Sequence, residues 1–69
     1  MDLKKLGIVI KNRRESLHLK QEDLAEMGGI TIKTLHLIES GKGNPSIETL
    51  NKVTAVLGLE LVLQIKKLG

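Results

Sequence analysis

The sequence predicts a mostly α fold, four helices followed by a C-terminal β-strand, and three observations carry that expectation. Residues suited to N-caps recur at Asp2, Thr31 and Ser46, and glycines stand where helices must stop, at 28–29, 41 and 58. Apolar residues between these marks repeat at helical spacing. Residues 59–66 switch to strict alternation, the period of a strand.

Each element follows from these marks. Asp2 caps a first helix running to about Ser16, with Leu3, Leu6, Ile10 and Leu17 near one stripe. His18-Leu19-Lys20 is a short break, in which His18 reads as a solvated turn residue. A second short helix covers about Gln21 to Met27 and ends at Gly28-Gly29. Thr31 caps a third, which ends at Ser40 with Gly41 beyond it. Gly43-Asn44-Pro45 is a turn. Ser46 caps a fourth helix to about Leu57, with Leu50, Val53, Thr54 and Leu57 inward and Gly58 as its stop. In the last segment one face reads Leu59, Leu61, Leu63, Ile65 and the other Glu60, Val62, Gln64, Lys66. A lone strand cannot satisfy its backbone within one chain, so the expected partner is the same strand of a second copy, antiparallel about a two-fold axis. The alternative is a fifth helix that turns Leu59, Val62, Leu63 and Lys66 inward.

Size and composition favour assembly. A chain of 69 residues is one domain, and one so small buries only about 60% of its unfolded surface. It has no Cys, hence no disulfide or thiolate metal site, and no Phe, Tyr or Trp, so the core must be aliphatic. No apolar run approaches the ~20 residues of a membrane span. Met1-Asp2-Leu3-Lys4-Lys5 lacks the apolar stretch of a signal peptide, and a cytoplasmic protein without membrane association is expected. The formal net charge is +3, concentrated early: Lys4, Lys5, Lys11, Arg13, Arg14 and Lys20 face only Asp2 and Glu15 over residues 1–20. A basic first helix suits an anionic partner, and equally an ordinary solvated helix face.

The stretch Gln21–Ser40 has the spacing of a helix-turn-helix. Two short helices that cross steeply need a small residue at the contact, and Ala25 fits. The tight reversal between them favours glycine, and Gly29 fits. Leu24, Ile30, Leu35 and Ile38 then lock the second helix onto the first.

From about Ile10 to Gly58 the sequence resembles the phage repressor/Cro type of helix-turn-helix domain, the XRE family, with its lambda-repressor-like fold. The matching marks are Arg14, Gln21-Glu22-Asp23-Leu24-Ala25, Gly29-Ile30, Ile38-Glu39-Ser40-Gly41-Lys42, and Asn44-Pro45-Ser46 with Thr49-Leu50 leading to Leu57-Gly58. The resemblance implies a sequence-specific DNA-binding repressor whose third helix lies in the major groove. Its exposed side would then present Thr31, Ile32, Lys33, His36, Leu37 and Ser40. Lys33 would donate to guanine or phosphate; Ile32 and the methyl of Thr31 or Thr34 would pack on thymine methyls. His36 would meet a phosphate or a base acceptor. Gln21 resembles the family's backbone-clamping glutamine, and Lys42 and Asn44 resemble further phosphate contacts. Arg14 and Glu39 match a pair that bridges the first and third helices in a buried salt bridge. This face carries fewer polar readers than is usual in the family, which shifts weight to methyl contacts and DNA shape; Ile32 and Leu37 also suit a protein-binding patch. Glu39 beside His36 does not make a catalytic or metal site, for want of a third ligand and a nucleophile. No enzyme activity and no cofactor is expected.

The tail narrows the resemblance. Leu57-Gly58-Leu59-Glu60-Leu61-Val62-Leu63 resembles the HipB-like antitoxin branch, in which a strand after the fourth helix pairs across a homodimer. That branch implies an antitoxin of a toxin–antitoxin operon, which represses its own promoter at a palindromic operator and holds a HipA-type kinase toxin; a stand-alone or phage-type repressor is the alternative. The expected organisation is a DNA-binding domain over residues 1–58 and, within the same domain, a dimerisation strand over 59–69 using Leu59, Leu61, Val62, Leu63 and Ile65.

Overall fold

The computed structural model describes residues 2–66. Four helices follow in order, α1 (Leu3–Ser16), α2 (Gln21–Gly28), α3 (Ile32–Glu39) and α4 (Ile47–Leu57), each within a residue or so of its expected bounds. The caps act as the sequence implies. Asp2 Oδ1 accepts from the amides of Lys4 (3.0 Å) and Lys5 (3.2 Å), Thr31 Oγ1 from Thr34 (3.1 Å), and Ser46 Oγ from Thr49 (3.0 Å). Replacing such a cap by Ala typically costs about 1 kcal/mol. Helix α2 begins after Lys20, which has no acceptor to offer; Asp23 compensates from inside the helix, its Oδ2 accepting from the Lys20 amide at 2.9 Å.

The core lies where the four helices meet. Ile10, Leu24, Leu35, Leu50, Val53 and Leu57 are each less than 2% exposed, with Ala25 and Ile38 beside them. Leu6, Leu19, Ile30, Val56, Leu59 and Leu61 pack round this centre. Leu17 departs from its expected place and is 40% exposed. It is the C-cap of α1, where the chain leaves the helical path, and Leu19 packs on the core instead. The break is sharpened by His18, whose φ of 57° lies in the left-handed region.

Two glycines set how α3 sits. Gly29 ends α2 at φ 71° and lets the Ile30 amide reach Ala25 O at 3.0 Å, which closes the tight turn between the two helices. Gly7, in the middle of α1, is a close-approach position: a Cβ there would lie 2.5 Å from Ile38 O and 2.7 Å from Glu39 O. The backbone of α1 therefore lies directly against the last turn of α3.

The tail differs from the expectation. Among the described residues no strand forms, and residues 59–66 are not helical either. Among the described residues there is no strand for this segment to pair with. Leu59 and Leu61 turn back onto the core of their own chain, whereas Val62, Leu63 and Ile65 are 63%, 97% and 100% exposed. The five residues expected to dimerise thus divide into two that the chain already uses and three that it leaves uncovered. A groove of about 320 Å³ lies between α4 and the tail, lined by Ile47, Asn51, Leu61, Val62 and Leu63. Residues 67–69 of the expected dimerisation segment lie outside the described residues.

Candidate nucleic-acid interface

Helix α3 is divided by its own periodicity. Leu35, Ile38 and Glu39 are buried, while Thr31, Ile32, Lys33, His36 and Ser40 are exposed around the other side. The inward face is fixed by more than packing. Arg14, from α1, grips Glu39 with two parallel hydrogen bonds, Nε to Oε2 at 2.7 Å and Nη2 to Oε1 at 2.9 Å. Its remaining arm, Nη1, donates to Leu19 O at 2.7 Å. Both residues of the pair are buried. The hydrogen bond to Glu39 raises the guanidinium pKa above its ordinary value, against the opposing effect of burial. Arg14 therefore stays charged, and the pair is a fixed bolt between α1 and the end of α3.

Gln21 joins this network. At the first position of α2 it is half-buried, and its Nε2 donates to Glu39 Oε1 at 3.1 Å. A primary amide carries a second N–H, and its oxygen accepts, so Gln21 is held in place by Glu39 without losing its capacity toward a ligand. This positioning by Glu39 is not evident from the spacing of the two residues.

The outward face is less tied. Thr31 caps α3, and its hydroxyl pairs with that of Thr34 at 2.9 Å, which leaves Thr34 half-buried. Ile32 is 52% exposed, and Lys33 and His36 are exposed beside it. Ser40 Oγ donates back to Leu37 O at 3.1 Å. Leu37 departs from the expected outward position. It is half-buried, because the chain after α3 folds back over it: the Lys42 amide donates to Leu37 O at 2.9 Å, and Gly43 lies against its side chain. Lys42 and Asn44 are exposed on this loop and, with Thr34, Leu37, Ile38, Gly43 and Pro45, border a hollow of about 200 Å³.

Three residues act here in ways that sequence reasoning missed. Arg13, next to the buried Arg14, sends its Nε to Leu57 O at 2.9 Å and so caps the end of α4 from α1. Lys11, also on α1, lines a cleft with Gln21, His36, Glu39 and Ser40. Gly7 is the third, and it did leave a signal: an isolated glycine inside a helical pattern marks close packing. Nothing in the pattern of the chain brings Lys11 to α3.

The helix-turn-helix family model, described as "Helix-turn-helix", matches residues 10–64. The chain belongs to the helix-turn-helix family, in its phage-repressor/Cro branch. It is 39% identical over 61 residues to the ImmF control region 10 kDa protein of Bacillus phage phi105, an alignment spanning 88% of this chain and 68% of that protein. It is 36% identical over 52 residues to an uncharacterized HTH-type transcriptional regulator of Methanothermobacter thermautotrophicus, over 75% of each. Among solved structures, the restriction-modification controller protein C.AhdI from Aeromonas hydrophila superposes with a TM-score of 0.81 at 30% identity, covering 86% of this chain and 89% of that one. The biofilm master regulator SinR, solved in complex with DNA, gives 0.73 at 38% identity, over 80% and 89%. The four-helix architecture of this helix-turn-helix protein is thus shared with both. None of its helices, among the described residues, is long and apolar enough to cross a membrane.

Proposed function

We propose that the chain is a sequence-specific transcriptional repressor that binds double-stranded DNA as a two-fold dimer, with α3 in the major groove. The observation that carries this is the division of α3. Its inward face is bolted to α1 by Arg14 and Glu39, while Thr31, Ile32, Lys33 and His36 stand free of the core. Lys33 supplies a base or phosphate donor, Ile32 and the threonine methyls supply thymine contacts, and Gln21, Lys42 and Asn44 flank them as backbone contacts. Leu37 contributes from the loop edge. The relatives named above, a phage control-region protein, an HTH-type transcriptional regulator, a restriction-modification controller protein and a master regulator of biofilm formation, support a role in transcriptional control.

The test is a salt-titrated binding assay on the DNA upstream of the chain's own gene, set against random duplex. Binding to the upstream region should exceed random binding by 10³-fold or more, in the usual range for specific readers. Equal binding at every salt concentration would reject sequence-specific repression. Lys33→Ala should weaken binding; a loss confined to one base position assigns Lys33 to a base, and a uniform loss assigns it to a phosphate.

Dimerisation is assigned to the tail. Val62, Leu63 and Ile65 are uncovered, Val62 and Leu63 line the groove beside α4, and pairing of residues 59–66 with a second copy would satisfy their backbone. The recognition helices would then stand about one DNA turn apart, ~34 Å, and read a palindrome. The narrower reading, an antitoxin that holds a HipA-type kinase toxin, is motivated by the tail alone; the phage control-region relative favours the phage-type repressor. Co-purification with the product of the adjacent gene separates the two.

A further inference from the structure

Successive residues of a helix point about 100° apart, so Arg13 and Arg14 of α1 address different elements. Arg14 turns to α3 and holds Glu39. Arg13 turns to the end of α4, where its Nε donates to Leu57 O at 2.9 Å. The last carbonyls of a helix have no partner inside it, and a cation suits the negative end of the helix dipole. The peptide that Arg13 grips makes the contact more than a cap. Leu57 O and the Gly58 amide belong to one planar unit. That amide reaches Ala55 O only at 3.4 Å, beyond the usual length of an N–H···O bond. Gly58 stands at φ 69°, with no Cβ to limit its rotation, and the tail begins there. A Cβ at Gly58 would lie 3.6 Å from Arg13 Nη2, so the guanidinium sits against the hinge whose peptide it holds.

We propose that Arg13 is a positioning residue for DNA recognition. By fixing the Leu57–Gly58 peptide it sets the angle at which the tail leaves the body, and with it the separation of the two recognition helices in the dimer. The inference rests on the tail dimer proposed above and names the residue that makes its spacing definite.

The other restraints on the tail are of a different kind. The Leu59 amide donates to Thr54 O at 2.9 Å, which closes the turn but ties the first tail residue to α4 alone. Leu59 and Leu61 pack on the core, and apolar burial is non-directional. Arg13 instead refers the root of the tail to α1, the helix that Arg14 and Gly7 seat against α3. Tail and recognition helix thus share one reference through two adjacent arginines. The lever is long enough to matter. Five extended residues, 59–63, span about 17 Å. Rotation by about 20° at their root, the ordinary scatter of backbone angles, displaces the far end by about 6 Å. That approaches two base-pair steps of about 3.4 Å each, enough to take one recognition helix out of register with its half-site.

The chain has no Cys, so Glu22→Cys, at an exposed position of α2, places one nitroxide on each copy. Double electron–electron resonance then reads the distance between the two bodies of the DNA-free dimer. The labelled parent should give one narrow distribution. Adding Arg13→Met, which keeps the apolar stem and removes the donors, should broaden it by about 6 Å. Ser46→Ala removes the cap at the opposite end of α4; it controls for lost stability and should leave the width unchanged. Thermal melts confirm that both variants stay folded. In unlabelled chains, anisotropy should show Arg13→Met losing about tenfold on the upstream DNA, comparable to one mismatched base pair, with random-duplex binding unchanged. An unchanged width in Arg13→Met, or equal broadening by Ser46→Ala, overturns the inference and leaves the dimer standing. Loss of the dimer in Arg13→Met makes the residue part of the interface, and equal losses on both duplexes make it a phosphate contact; either result also overturns it. No interspin distance in the labelled parent overturns the tail dimer itself.

Discussion

The helical body and the tail use the same aliphatic alphabet to opposite ends. In the body, Ile10, Leu24 and Leu35 have no exposed surface, whereas Leu63 and Ile65 of the tail are almost wholly bare. The body's polar groups are as complete as its packing: no buried side-chain nitrogen or oxygen among the described residues lacks a hydrogen-bond partner. The contrast shows where the folding information of the chain is self-sufficient. Up to Gly58 every helix finds its neighbours within the same chain. Beyond Leu61 the apolar residues Val62, Leu63 and Ile65 are left largely uncovered by their own chain.

The largest effect expected on the body is from Glu39→Gln. It leaves the Arg14 guanidinium buried without its counter-charge, and loss of one partner of a buried pair typically costs 3–5 kcal/mol. Small domains have about 5 kcal/mol at the low end of their range, so chemical denaturation should find this variant largely unfolded at room temperature. A variant as stable as the parent would show that packing alone holds α3. Next is Gly7→Ala, whose added methyl meets backbone oxygens of Ile38 and Glu39. Backbone cannot rotate aside as a side chain can, and overpacking of this kind costs about 1–3 kcal/mol, readable as a shift in the urea midpoint.

Truncation after Gly58 tests the other side of the contrast. Circular dichroism should show the four helices retained, with some loss of stability from the removal of Leu59 and Leu61, while sedimentation should show the dimer gone. A truncated chain that still dimerises would move the interface onto the body. The smallest effect is expected from Leu63→Ser, a change at a 97% exposed site. It should alter the stability of the monomer by less than about 0.5 kcal/mol and yet weaken self-association, which separates folding from assembly in one substitution.

Most of the fold was legible because its determinants are local. Asp2, Thr31, Ser46, Gly29 and Gly58 each act within a few residues of themselves, and the apolar spacing between them needs no knowledge of the third dimension. The buried pair was legible through resemblance, since Arg14 and Glu39 stand 25 residues apart and only the family pattern joins them. What was not legible depends on contacts between distant elements. The Arg13 bond to Leu57 O spans 44 residues, and Lys11 lines a cleft with residues of α2 and α3 through the packing of α1 on α3, where Gly7 lies against Ile38 and Glu39. Leu37 was misplaced for a related reason. Helical periodicity puts it outward, but it takes no account of a loop that returns over the helix. The tail misled in a different way, since alternation reports an exposed and a covered face and says nothing of which molecule provides the cover.

The separation of the two faces of α3 bears on how this protein can change over time. Ile32, Lys33 and His36 form no bonds to the core, so their replacement leaves Leu35, Ile38 and Glu39 untouched. Substitutions at such exposed positions usually change stability by no more than about 0.5 kcal/mol. A lineage can thus redraw its sequence preference one residue at a time without passing through unfolded intermediates, and chains with this scaffold can diverge in target while remaining alike in architecture.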